Sequence, residues 1–199
     1  MHPSRAFAWE DRDAMLAFLA DIAFCTICVE GPALVHTPVI VAAPDRIRFH
    51  ISRGNRAAAA MDGSNAIVSC LGPEAYISPD WYGSPDQVPT WNYLAVEAQG
   101  PLRRLAEPEL AQLLDDLSAA HEARLAPKPS WTRARMNSGR FEAMLKAITG
   151  YELRIEDLRG TRKLGQNKQP DERIGAAEGL ARINPEMAAL MRQEMKAQA

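Results

Sequence analysis

Apolar positions recur along this chain with two periods, and the change from one to the other marks out its elements. Met15, Phe18, Leu19 and Ile22 fall at helical spacing, which predicts an opening amphipathic helix over 11–22. The run Phe24-Cys25-Thr26-Ile27-Cys28-Val29 is apolar and β-branched, and predicts a strand over 23–29. After Gly31-Pro32 comes a second strand over 33–42, apolar on both faces as expected of a strand covered on each side. Ile47, Phe49 and Ile51 then alternate with Arg48, His50 and Ser52, the period of a strand with one buried face. The alanine-rich 55–61 predicts a short helix, and 66–71 and 75–78 predict two strands broken by Gly72-Pro73. A loop rich in Pro and Gly follows over 79–89. From Thr90 to Arg104, Asn92, Leu94, Val96 and Ala98 alternate with Trp91, Tyr93, Ala95 and Glu97, which makes this the longest expected strand.

Beyond it the period lengthens. Pro108 suits a first helical turn, and Leu110, Leu113, Leu114 and Leu117 repeat at i, i+3, i+4 and i+7 in a helix that must end before Pro127. A proline-broken connection over 127–131 leads to a short helix over 139–147. Tyr151, Leu153 and Ile155 alternate with Glu152, Arg154 and Glu156 in a final strand. Helices over 171–182 and 185–196 end the chain, the second with Asn184 as N-cap and Pro185 in its first turn. Five to seven strands without regular βαβ alternation favour an α+β fold built on an antiparallel barrel over a doubly wound sheet. We expect a barrel domain over 1–160, with a polar loop and C-terminal helices over 161–199 packed on that same domain.

With 199 residues, 47 % of them apolar, the chain can bury one substantial core. Its formal net charge of -2 supplies no global field toward nucleic acid or anionic membrane. The first ten residues carry no apolar signal-like core and no stretch reaches bilayer length, which predicts a soluble cytoplasmic protein. Three cysteines imply reduced thiols, and Cys25 and Cys28, three apart on a strand, point to opposite faces rather than to one metal or redox centre. The common hydrolase, phosphate-loop, zinc-protease and dinucleotide signatures are absent from the sequence.

What remains is a basic segment and two polar clusters. Arg46, Arg48, Arg53 and Arg56 lie together with no acid among them, and Ser52-Arg53-Gly54-Asn55 sits where a strand runs toward a helix. A hydroxyl, a guanidinium and backbone donors can cradle a phosphate; a solvated basic edge is the other reading. His36 and His50 fall on consecutive strands, His50 on the face of Ser52. Trp91, Asn92 and Tyr93 put two aromatics and an amide at the mouth of the long strand, suited to stacking on a flat heterocycle and pairing with its edge, or to packing. Lys163-Leu164-Gly165-Gln166-Asn167 is a polar turn between the last strand and a helix.

Over about 2–180 the chain resembles the PaiB-like FMN-binding negative transcriptional regulators. Ala75-Tyr76-Ile77-Ser78-Pro79-Asp80-Trp81-Tyr82 and Val88-Pro89-Thr90-Trp91-Asn92-Tyr93 carry the likeness, with His36-Thr37-Pro38, with His50, Arg53 and Asn55 in H-x-x-R-x-N, and with the Lys163, Gln166 and Asn167 cluster. Gly165 stands where serine is usual, Glu97 where histidine is common, and Arg56-Ala57 for a Pro-Gln pair. The resemblance implies an FMN-binding split β-barrel with peripheral helices and a helical C-terminal tail. It also implies a homodimer with flavin at the subunit interface, and a role in repressing genes. It places the cofactor on His36, Thr37, Pro38, His50, Ser52, Arg53, Asn55, Trp91, Asn92, Tyr93, Lys163, Gln166 and Asn167. A small FMN-dependent oxidoreductase is the alternative, and haem held by His36 or His50 a third reading. DNA or another regulatory protein is open as a partner, or the regulatory role is a name inherited by the family: 171–182 offers only Arg173 and Arg182 beside three acids, which does not make a basic recognition helix.

Overall fold

The computed structural model describes residues 1–29 and 34–197; the expected Gly31-Pro32 break and Ala33 lie outside them. In chain order the elements are β1 (Ala8–Trp9), α1 (Arg12–Ile22), β2 (Phe24–Val29), β3 (Leu34–Ala43), β4 (Arg46–Ser52), α2 (Ala58–Met61), β5 (Asn65–Ile77), β6 (Thr90–Arg104), α3 (Glu107–Ala123), α4 (Arg140–Leu145), β7 (Ile148–Arg154), β8 (Asp157–Lys163), α5 (Pro170–Leu180) and α6 (Pro185–Ala197). The strands follow one another in the order β1-β8-β6-β5-β2-β3-β4-β7, and β7 pairs again with β6. That second pairing closes six strands into a ring and leaves β8 and β1 as an extension.

The chain divides into two compact units, 12–70 with 97–158, and 1–11 with 71–96 and 159–199. The larger contains β2, β3, β4, β7 and parts of β5 and β6. Its core comes from the inward positions of alternating strands, Ile27, Val39, Ile47, Phe49, Val68 and Leu153. Closure demands close backbone approach: a Cβ on Gly100 would lie 1.8 Å from the Arg154 carbonyl oxygen, so only glycine fits there. Leu105, Leu110, Leu113, Leu117 and Leu145 form a second cluster, where α3 and α4 cover the outward side of β7. Gly150 belongs to this contact, a Cβ there meeting Leu105 and Leu110 side chains at 3.0 Å.

In the smaller unit α5 packs on α6 and on the turn Pro79–Tyr82, with Ala176, Leu180, Met187 and Met191 buried, and Met191 of α6 meets Asn92 of β6. Gly175 and Gly179 admit Trp81, whose carbonyl oxygen and ring would lie 2.3 and 2.5 Å from a Cβ at those positions. Asn184 caps α6 as its position predicts, its Oδ1 accepting the Met187 N–H at 3.0 Å.

Four expectations need correction. Residues 66–71 and 75–78 are not two strands but parts of one, because Gly72-Pro73 remains extended within β5. The helix expected over 55–61 is only the single turn of α2, its start displaced by a turn over 52–57 that binds its own donors. β3 is not covered on both faces: Val35, Thr37 and Val39 are buried, whereas Leu34 and His36 are exposed. The strand at 151–156 is not the last one; β8 follows, paired to the two-residue β1 through Ala8 with Thr161 and Trp9 with Gly160. A strand as polar as Asp157-Leu158-Arg159-Gly160-Thr161-Arg162-Lys163 shows no alternation that could reveal it.

Candidate functional site

In the larger unit, the arginines that looked like one basic patch have different fates. Arg48 Nε donates to Glu152 Oε2 at 2.7 Å, Arg46 lies 3.7 Å from the same carboxylate, and Arg103 from β6 bonds both Glu152 and Glu109. Glu152, 3 % exposed, is thus the hub of three guanidinium groups. Glu109 also accepts the Ala106 N–H, and with Arg103 this pulls its carboxyl down to about 2. The local run holds no acid, but the fold brings two to it. Arg53 lies outside this network, with Nε donating to the Ile148 carbonyl at 3.0 Å.

The turn around Arg53 satisfies its own backbone. The N–H groups of Arg53, Gly54, Asn55 and Ala57 go to the Ala147 carbonyl, Ser52 Oγ, the Ser52 carbonyl and Asn55 Oδ1. A phosphate here would therefore be met by the guanidinium edge of Arg53 rather than by a nest of free amides. Thr37 is buried and donates to the His50 carbonyl at 2.7 Å, joining β3 to β4. His36 sits on the outward face, 3.1 Å from Thr26 Oγ1, and Pro38 pairs with Phe24. His50 has a buried Nδ1 with no hydrogen-bond partner among the described residues, and burial pushes its pKa down, leaving a neutral imidazole.

The smaller unit holds a cavity of about 280 Å³ whose walls include Asn92, Thr90, Lys163, Gly165, Asn167 and Lys168. Sequence reasoning singled out Asn92, Lys163 and Asn167, and the fold brings these three together. It missed Lys168, Thr90, Tyr82, Phe7, Ser4 and His2. Lys168 and Thr90 flank the motifs already picked out, whereas His2 arrives from the far end, its N–H on Thr161 Oγ1 at 3.2 Å. Gln166 is spent on its own turn, accepting from the Leu164 N–H and donating to the Arg162 carbonyl. Gly165 adopts φ +85°, a left-handed conformation in which the usual serine would be strained. Trp91 and Tyr93 take the other side of β6, where Trp91 is half exposed and meets Tyr76 edge-on at 6.1 Å.

Two features give this cavity its chemistry. No described residue lining it is acidic, while Lys163 and Lys168 both reach it. Lys163 Nζ donates to Thr90 Oγ1 and to the Trp91 carbonyl, at 2.5 and 2.8 Å, and burial, with Lys168 nearby, pushes its pKa down. Asn92 is 1 % exposed; among the described residues its Nδ2 meets only Met191 Sδ, at 3.5 Å, and its Oδ1 has no partner. An orphaned buried carbonyl is costly unless a ligand supplies a donor.

The closed antiparallel ring with a two-strand extension and capping helices is a split barrel. It is similar to the FAD and heme binding protein from Mycobacterium smegmatis, with 19 % identity, a TM-score of 0.60, and 86 % of this chain and 80 % of that one covered. A flavocytochrome from Azotobacter vinelandii superposes with TM-score 0.55 at 18 % identity, over 81 % and 72 % of the two chains. Residues 1–157 match the family described as "Putative FMN-binding domain", and the chain belongs to that family, whose flavin is FMN. It is 34 % identical over 138 residues to the protease synthase and sporulation protein PAI 2 of Bacillus subtilis, which bears out the PaiB likeness. That match covers 67 % of this chain and 65 % of the relative, so the chain spans less than two thirds of its length. Among the described residues no helix is long and apolar enough to cross a membrane.

Proposed function

We propose that the chain holds FMN between two copies of itself, with the ring edge at Asn92 and the phosphate at Arg53. The unmet Oδ1 of Asn92 carries this reading. A phosphate offers no donor to an orphaned carbonyl, whereas the imide edge of a flavin offers one N–H flanked by two carbonyls. Asn92 would take the N–H, and Lys163 or Lys168 would face a carbonyl. Arg53, outside the Glu152 network, is left to pair with the phosphate. Bound FMN supplies the electron-transfer chemistry; the chain supplies binding, orientation and electrostatics.

Exposed apolar side chains support the second copy. In the larger unit Leu34, Cys28 and Ile67 form one cross-strand row, with Phe24 further along β2; Phe24 is 62 % and Leu34 53 % exposed. In the smaller unit Leu71, Tyr76 and Trp91 are exposed. Such aromatic and aliphatic anchors dominate subunit interfaces. One copy would contribute the turn of Ser52, Arg53 and Asn55, and the other Asn92 and Lys163, with Trp91 and Tyr93, on the opposite side of β6, in the subunit contact. Regulation by this protein would run through a protein partner, since Arg173 of α5 is buried and Arg182, beyond its end, adds no basic face.

Calorimetric titration with FMN and FAD, with sedimentation of apo and FMN-loaded protein over a dilution series, tests this. FMN should bind more tightly than FAD and shift the chain toward dimer. Equal binding of FAD, or a monomer that retains FMN at every dilution, overturns the reading.

A further inference from the structure

A second cavity, of about 360 Å³, lies in the larger unit between α3, α4 and β4. It is within the size range of small-molecule sites. Trp131, Met136, Phe141, Met144 and Leu145 provide apolar walls, and the His50 imidazole stands among them. The charged pair at this cavity is spent on itself: Arg133 lies 3.1 Å from Asp115 and over the Phe141 ring at 4.7 Å. No described residue of its lining is left to balance a phosphate or carboxylate, which argues against the cavity being FMN's own. His50 lines this cavity, and its buried Nδ1 has no partner among the described residues.

We propose that this cavity binds a small uncharged aromatic molecule carrying one hydrogen-bonding group, seated against His50. The neutral imidazole has one donor and one acceptor, so it can meet a hydroxyl of either sense. Trp131 and Phe141 offer ring faces, and the flexible thioethers of Met136 and Met144 adapt to a planar guest. The site does not depend on flavin binding.

The probes are 2-naphthol and naphthalene, titrated calorimetrically into the full chain with and without saturating FMN. 2-Naphthol should bind one to one, about tenfold more tightly than naphthalene, the ratio expected of one hydrogen bond. His50→Leu should abolish that ratio. Met144→Trp, at an exposed position, should fill the cavity and weaken both probes at least tenfold while leaving FMN affinity unchanged. Arg53→Ala should weaken FMN and leave 2-naphthol unaffected, which separates failure here from failure of the flavin reading. Absence of saturable 2-naphthol binding, a ratio unchanged by His50→Leu, or displacement of 2-naphthol by FMN each overturns the proposal.

Discussion

The basic segment at 46–56 and the lysines at 163 and 168 differ in what the fold does with their charge. Arg46 and Arg48 are drawn, with Arg103, onto the buried carboxylate of Glu152, and their charge is consumed in holding β4, β6 and β7 together. Lys163 and Lys168 line a cavity without an acidic wall, and Lys163 is held there by a hydroxyl and a carbonyl that leave its charge unbalanced. The first cluster is neutralised by Glu152; in the second, Lys163 bonds uncharged oxygens and Lys168 lies in the field of Glu172. The number of cations does not separate the cases, but the location of the nearest carboxylates does.

The comparison breaks most sharply at Glu152. Glu152→Ala leaves three guanidinium groups facing a buried vacancy and should cost about 3 kcal/mol, the low end for a broken buried pair because Arg46 and Arg103 can turn to water. Chemical denaturation measures it; a loss below about 1 kcal/mol would show the hub to be an ordinary surface pair.

Arg53→Ala should lower FMN affinity by one to two decades, matching about 1.5–3 kcal/mol for a charge-assisted contact, with the melting temperature nearly unchanged. Arg48→Ala serves as the contrast, costing stability first. If both variants bind FMN as tightly as the parent, the whole arginine segment is structural.

Asn92→Leu fills the same space without an amide, and should weaken FMN by about tenfold while leaving the apo fold at least as stable, because an orphaned buried carbonyl is removed. Lower apo stability together with unchanged FMN affinity would make Asn92 a packing residue.

The smallest effect concerns acid. Glu109 titrates near 2 in the folded chain, below its ordinary value, so its contribution is present above about pH 4.3 and fades as pH falls toward 2. Glu109→Gln should flatten that limb of the stability profile. An unaltered acid limb would mean that Arg103 does not hold the carboxylate in solution.

Strand alternation was legible wherever one face is buried and the other wet. Ile47, Phe49 and Ile51 of β4 and Asn92, Leu94, Val96 and Ala98 of β6 face inward as their period predicts, since a one-residue slip would expose the whole set. Of the motif at 163–167, Lys163, Gly165 and Asn167 line a cavity, whereas Gln166 bonds its own turn. Alternation could not show that β8 pairs with β1, because both are too polar or too short to carry a period. Nor could it place His2 beside Lys163, or tell Arg48, bound to Glu152 across 104 residues, from Arg53. Periodicity is a local record of which face a core will cover, and through it the sequence alone determined strands such as β4 and β6, though not the continuity of β5 or the open face of β3. Which charges are neutralised and which polar atoms are left wanting depends on long-range contacts, and only the tertiary structure decided that.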